Sequence, residues 1–400
     1  MTSRRFLACD TFCRVHGYQR RVETFGRSVL HNNARFRTCF LNTSSSQFKV
    51  ALARNGYAGR LGGRFRIPTN HCEVTNMNIL IPDDYQRAVA QLKCVELLAD
   101  HDLRILGDMS RASDVDAVLA RTQCLVPIRE RTRVDAALLA KMPALLLISQ
   151  TGPVGRHIDM AACDAAGVAV MQGTGSSHAP AEFAWLMIMS ACRRFSEAVD
   201  AFRQGQWQVN IGSEVYGKTL GILGFGKLGK KVAQYAHAFG MQVQVWGSER
   251  ARAEASAAGC IASASRDAFF SSADVVTVHL RLADETRGSI GVDDLAAMKS
   301  TAVFVNISRA ELLAPGALEM ALRQGRPGYA AVDVYESEPV YDRQHPLFDL
   351  PNVLCTPHLG YVAEQSYEAY FRSAFSNVLQ FAAGDYGSVL NPAFIDNRRA

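Results

Sequence analysis

Three residues in the second half of the chain stand just past short apolar runs, where a parallel sheet places its ligands. Arg309 follows the run 302–307, Glu338 lies soon after 330–334, and His358 follows 353–356. An arginine offers a planar fork to a carboxylate. A histidine exchanges a hydroxyl proton near neutral pH, and a neighbouring glutamate can hold its ring and favour its charged form. Taken singly, each has an ordinary reading: a surface ion pair, a loop glutamate before Pro339, a structural histidine. Gathered in one cleft beside a nicotinamide, they form a set suited to hydride transfer at a carbon bearing a hydroxyl.

The stretch 218–229, KTLGILGFGKLG, supplies the reason to expect a nicotinamide. Residues 219–223 read as an apolar strand, and 230–239 continue with helical spacing. Between them Gly224, Gly226 and Gly229 make a G-x-G-x-x-G turn that includes Lys227 and Leu228. The first glycine allows the tight turn and the second lets a pyrophosphate approach the backbone. The third lets helix pack on strand, with the phosphates at the helix N-terminus. This turn opens past mid-chain, so another folding unit must precede it.

The elements that position these residues alternate. Strands are expected at 79–81, 102–106, 124–127 and 145–149, with helices at 85–98, 114–120 and 135–141 between them. A long apolar helix over 179–202 leads into the glycine turn. Further strands are expected at 220–223, 242–246, 275–279, 302–307, 330–334 and 353–356, then a last helix over 363–382. Strands separated by helices imply α/β architecture: two doubly wound parallel-sheet domains. The second is a Rossmann dinucleotide-binding domain, 179–362, inserted into a discontinuous first, 77–178 plus 363–400. The last helix is too isolated to be a domain and is expected to return to the first.

Charge is uneven. Residues 1–76 hold 13 Lys/Arg and 3 Asp/Glu, so the net charge of +5 belongs to that head and the remainder is mildly acidic. The head reads as a disordered extension or an upstream start rather than a working transit peptide, although its composition suits one. No basic patch in the body argues for nucleic acid, and no apolar run approaches a membrane span. Ten cysteines without paired spacing favour free thiols in the cytoplasm. None makes a C-x-x-C or a His/Cys cluster with metal spacing, so no metal is expected.

From Met77 to the last helix the chain resembles the D-isomer-specific 2-hydroxyacid dehydrogenases, the family of D-3-phosphoglycerate dehydrogenase, glyoxylate/hydroxypyruvate reductase and D-lactate dehydrogenase. Residues 217–221 (GKTLG), 238–241 (AFGM), 305–309 (VNISR), 333–339 (DVYESEP) and 356–360 (TPHLG) carry the likeness. It implies catalytic roles for Arg309, Glu338 and His358 on a small anionic 2-hydroxy or 2-oxo acid, and a homodimer formed through the region 179–202. It also implies substrate contacts from the backbone of 151–155, with Gly152, Val154 and Gly155, and from Arg129, which matches an arginine that contacts the acidic substrate in phosphoglycerate-type members and on its own reads equally as a surface ion pair. His279 and Asp333 are expected along the cofactor path.

Departures accompany the likeness. Arg156 and His157 stand where the family often has Asp and Asn, Arg281 replaces a usual proline, and Ala310 a usual glycine. The acid that would accept from the adenosine ribose is absent, its place taken by Gly247. Glu249 could substitute, whereas Ser248 and Arg250 could hold a 2′-phosphate. The expected cofactor is NAD, with NADP the alternative. The resemblance leaves one reading from another class: the C-terminal-binding corepressors share this triad but act as NAD-sensing scaffolds. Formate dehydrogenase, of similar fold, carries Gln where Glu338 stands. After the last helix too little chain remains for a C-terminal effector-binding domain.

Overall fold

The protein was analysed as a computed structural model, which describes residues 76–391, 393 and 394, and before them a short antiparallel pair, Arg14–Val15 with Tyr18–Gln19. Contacts divide the chain into Met1–Ile67 and Pro68–Ala400. That strand pair is all that is described of the first unit, and the reading of 1–76 as an extension otherwise lies outside the described residues. The architecture below belongs to Pro68–Ala400.

Five strands form the first sheet: β1 (Asn78–Ile81), β2 (Asp102–Ile105), β3 (Cys124–Leu125), β4 (Leu147–Gln150) and β5 (Ala169–Gln172). All neighbours are parallel, in the order β2-β1-β3-β4-β5. Strand β5 was not among the expected elements, although its run Val168-Ala169-Val170-Met171 is apolar. The helix expected over 85–98 is replaced by two 3₁₀ segments, Val89–Gln91 and Lys93–Leu98. Leu92 between them is extended, and the buried Asp84 carboxylate accepts from the backbone N–H of Ala88 and Val89. A side chain that captures those donors starts the segment tightly, and the extended residue stops an α-helix from propagating.

The second sheet has seven strands: β6 (Thr219–Leu223), β7 (Gln242–Trp246), β8 (Ile261–Ala262), β9 (Val275–Val278), β10 (Val303–Asn306), β11 (Tyr329–Val332) and β12 (Val353–Cys355). Their order is β8-β7-β6-β9-β10-β11-β12, again all parallel. The six expected strands are present; the added β8 is a two-residue edge strand. Strands β9, β10 and β11 are buried throughout, as a sheet covered on both faces requires. The doubly wound reading therefore holds for both sheets.

The order reverses between β6 and β9, and a ligand crevice opens there, at the carboxyl ends of those strands. Gly224, just past β6, has φ +94°, and a Cβ on it would lie 2.9 Å from the His279 carbonyl past β9. Gly229, on the buried face of the helix Lys227–Ala238, would bring a Cβ to 2.5 Å from the Gly224 carbonyl. Gly226 between them, at the helix N-cap, faces open space. The turn is thus squeezed on two sides and vacant on the third, the side a phosphate would use.

The helix expected over 179–202 is two helices, His178–Cys192 and Phe195–Arg203. Arg194 between them sits at φ +49°, a left-handed conformation that a continuous helix cannot contain. The first buries Ala181, Ala184, Met187, Ile188 and Ala191 in the core of the second sheet. The last helix, Glu364–Ala382, sends Tyr367, Tyr370, Phe371, Phe375, Val378 and Phe381 into one core with Met77, Ile79 and Leu147 of the first. The chain consequently passes from one core to the other twice, near 173–177 and 356–363. The first crossing rests on the last helix. Thr174 N–H donates to Ser373 Oγ at 3.0 Å, and a Cβ on Gly175 would fall 1.8 Å from the Tyr370 ring. No helix among the described residues is long and apolar enough to cross a membrane.

Candidate active site

His358 and Glu338 meet. The His358 Nδ1 and Glu338 Oε2 atoms are 2.6 Å apart, and both side chains remain partly open to the cleft. The other Glu338 oxygen accepts from the Tyr335 N–H at 2.9 Å, which fixes the carboxylate plane. His358 itself has φ +52°. The turn that holds it there is built on Asp333, at the end of β11. Its Oδ1 accepts from Thr356 Oγ1 (2.6 Å) and Leu359 N–H (2.7 Å), its Oδ2 from Gly360 N–H (2.8 Å). Asp333, expected along the cofactor path, is fully enclosed, with both oxygens engaged by this turn. Burial raises its carboxyl above the ordinary range, against the pull of these donors.

Arg309 emerges from β10, where Asn306 accepts from Ser308 N–H (3.0 Å) and donates to the Arg309 carbonyl (2.9 Å). Its guanidinium is paired across the cleft with Glu130: Nε to Oε2 at 3.1 Å and Nη2 to Oε1 at 2.5 Å. Burial works against both charges, yet the pair prevails, leaving the Arg309 pKa raised and the Glu130 carboxyl lowered. Glu338 adds to the field that favours the arginine cation. Glu130 was absent from the sequence-based candidates. It sits in the run Arg129-Glu130-Arg131, where an acid between two bases looks like surface charge.

Arg129 at φ +53° donates from Nη1 to the Thr151 carbonyl (3.2 Å) and lies over the Tyr370 ring at 5.0 Å. Arg131 is held by the Tyr361 and Tyr367 hydroxyls and the Asp83 carbonyl, each at 2.7 Å. Tyr361 in turn sets its ring edge-on to His358, centroids 5.4 Å apart. In the glycine loop, the Gly152 carbonyl accepts from Gly173 N–H and Val154 N–H donates to Gln172 Oε1 at 3.3 Å. Beside Gly155 is His157, whose two ring nitrogens are shielded from solvent and have no hydrogen-bond partner. Burial pushes its pKa down to about 4; Glu130 pulls upward, and Arg129 and Arg309 push down further.

On the cofactor side, Lys227 and Leu228 open the helix after Gly226. His279 donates to or accepts from Thr277 Oγ1 at 3.1 Å, its Nδ1 is unpartnered, and burial brings its pKa to about 4. The ribose end is less well provided. Ser248 Oγ caps the next helix by accepting from Ala251 N–H, Glu249 is in that helix's first turn, and Arg250 is a solvent-exposed partner of Glu254 at 3.8 Å. Gly247 leaves that site without its usual acid. The turn, with its open Gly226 face and the unsatisfied His279 nitrogen, fits a dinucleotide. Among the described residues no cluster of side chains could hold a metal ion.

Comparison with known proteins points one way. Residues 185–360 match the family model for the D-isomer specific 2-hydroxyacid dehydrogenase NAD binding domain. The chain is 36% identical over 262 residues to a glyoxylate reductase of Aeropyrum pernix, covering 63% of this chain and 78% of that one. It is 34% identical to a D-3-phosphoglycerate dehydrogenase of Bacillus subtilis over 64% of this chain, but spans only 49% of that longer protein. The crystal structure of a phosphoglycerate oxidoreductase from Vibrio cholerae O395 superposes with a TM-score of 0.74 at 46% identity, covering 77% of this chain and 99% of that one.

The neutral, half-buried His157, its ring nitrogens shielded from solvent, yields a pH prediction. Its folded-state pKa lies below the unfolded value of about 6.5, so below that pH the unfolded chain takes up a proton that the native state refuses. Its contribution to stability is unaffected above pH 6.5 and is lost as pH falls towards 4. His157→Gln should therefore lose less stability than the parent between pH 7 and pH 5, by about 1–2 kcal/mol. Urea midpoints at the two pH values measure this; parallel losses in both proteins would refute it.

Proposed function

The chain belongs to the D-isomer-specific 2-hydroxyacid dehydrogenases, and from that premise we propose that Arg309, Glu338 and His358 are its catalytic residues, acting on a small 2-oxo acid or the matching D-2-hydroxy acid. The reaction is NAD-linked hydride transfer at C2. The observation that carries the assignment of roles is the 2.6 Å contact between His358 Nδ1 and Glu338.

With Nδ1–H donated to the carboxylate, the ring's tautomer is fixed and Nε2 is the nitrogen that exchanges the substrate proton. Tyr335 N–H holds Glu338, and the turn on Asp333 holds the His358 backbone, so neither partner needs to reorganise as charge moves. Arg309 binds the carboxylate and carbonyl end through charge-assisted hydrogen bonds. The backbone of Gly152, Val154 and Gly155, with Arg129 beside it, encloses the substrate from the first sheet's side. NAD, when bound, supplies or accepts the hydride. Gly224, Gly226, Lys227, Leu228 and Gly229 would hold its pyrophosphate, with His279 near its path and Ser248, Glu249 and Arg250 at the ribose. In the reductive direction His358 delivers its Nε2 proton to the carbonyl oxygen; in the oxidative direction it takes the hydroxyl proton back.

The working protein is read as a cytoplasmic homodimer. The described cysteines, Cys94, Cys124, Cys163, Cys192, Cys260 and Cys355, are free thiols, consistent with a reducing compartment. Large apolar side chains line 195–216: Phe195, Phe202, Trp207, Tyr216 and Ile211, the last 98% exposed. Exposed apolar side chains of this size, Phe202 and Trp207 in contact with each other, are what a second copy would cover.

Three measurements test these readings. Initial rates with glyoxylate, hydroxypyruvate and pyruvate, each with NADH and NADPH, should show turnover with at least one acid and a preference for NADH. No turnover of any acid would sink the catalytic reading, and a preference for NADPH would shift the cofactor to NADP. His358→Ala should lower kcat by about 10²-fold or more; near-parental turnover would remove His358 from its role. Sedimentation velocity at micromolar concentration should give a dimer, and a monomer would contradict the interface reading.

A further inference from the structure

The carboxylate nearest Arg309 has no place in the roles given above. A guanidinium carries five N–H bonds. In Arg309, Nε–H and one Nη2–H go to Glu130, and one Nη1–H goes to the Ser308 carbonyl at 2.5 Å. Two N–H remain, one on each terminal nitrogen. That is enough for one carboxylate or one carbonyl, and no more. The pair Arg309–Glu130 is also neutral as a unit, so the arginine offers direction more than net charge.

The other arginines of the first sheet's side are engaged as well. Arg129 gives one N–H to the Thr151 carbonyl and lies over the Tyr370 face, its other N–H groups remaining free, among the described residues, beside the glycine loop, and Arg131 gives three to two tyrosine hydroxyls and the Asp83 carbonyl. Arg156 pairs with Asp284 at 2.8 Å on the exposed rim. What stands next to Glu130 is His157, with two unpartnered, solvent-shielded nitrogens. A neutral imidazole with a free donor and a free acceptor suits a hydroxyl. It offers no charge to a phosphate, and Glu130 beside it repels one.

We propose that Glu130 is a specificity-determining residue: it fixes the Arg309 fork for a single carboxylate and, with His157, selects monoanionic 2-oxo acids, among them those with a 3-hydroxyl, against their 3-phosphorylated counterparts. The inference rests on the reaction proposed above. It separates two substrate classes that the names of similar proteins leave side by side. Selection here works by rejection, since a second negative group would be placed against a carboxylate already committed to Arg309.

The test compares kcat/KM for hydroxypyruvate and 3-phosphohydroxypyruvate with NADH, in the parent and in Glu130→Gln and Glu130→Ser, with glyoxylate as a reference. The parent should prefer the unphosphorylated acid by about 10²-fold or more, and both variants should narrow that ratio by about tenfold or more. Equal use of the two acids by the parent overturns the inference while leaving the reaction intact. A parallel loss on both acids in the variants, with the ratio unchanged, gives Glu130 a merely structural role and also overturns it. Failure of the parent on every 2-oxo acid, glyoxylate included, removes the reaction and this inference together.

Discussion

One buried carboxylate sets the geometry on which the rest of the site depends. Asp333 follows β11 and accepts three hydrogen bonds from the turn after β12, two of them from the backbone N–H groups of Leu359 and Gly360, just past His358. A turn bearing a non-glycine residue at φ +52° is unfavourable without such support. The same strand end leads through Tyr335, whose N–H orients Glu338 and whose hydroxyl donates to the Thr356 carbonyl. The histidine and its glutamate therefore come from separate strand ends but share one anchor. Burying a carboxylate is costly, and the cost is offset by three donors that have no other partner of that quality.

Much of this was legible in the residues. Apolar runs bounded by glycine and polar residues marked six strands of the second sheet, because fully buried strands show as continuous hydrophobic stretches. Arg309, Glu338 and His358 were visible because each follows such a run. What escaped notice depends on contacts distant in sequence. Glu130 is 179 residues from Arg309, and no local pattern announces their meeting. The edge strand β8, two residues long, was too short to register. The helix expected over 85–98 is interrupted by the extended Leu92, and the break at Arg194 lies in a φ value that its side chain does not advertise.

The electrostatics of the cleft are restrained, although arginine is abundant there. Arg129 and Arg131 are built into the scaffold through carbonyls and aromatic rings, and Arg309 is balanced by Glu130. A partly enclosed site amplifies every unbalanced charge. Arg309 is thus locally neutralised, while Arg129 and Arg131 keep their charge and are fixed in direction by neutral partners.

The two chain crossings between the cores carry a mechanical consequence. Joined at one point, two bodies can twist and swing freely. Joined twice, with the first crossing resting on the last helix where Thr174 and Gly175 lie on Ser373 and Tyr370, they resemble two leaves on a pinned hinge. Rotation about the line through the pins is easy; torsion and sliding strain both linkers at once. The small-residue path at 173–175 lets the first crossing lie directly on the last helix. A modest rotation there becomes a larger displacement at the mouth of the cleft, along a path the backbone itself prescribes.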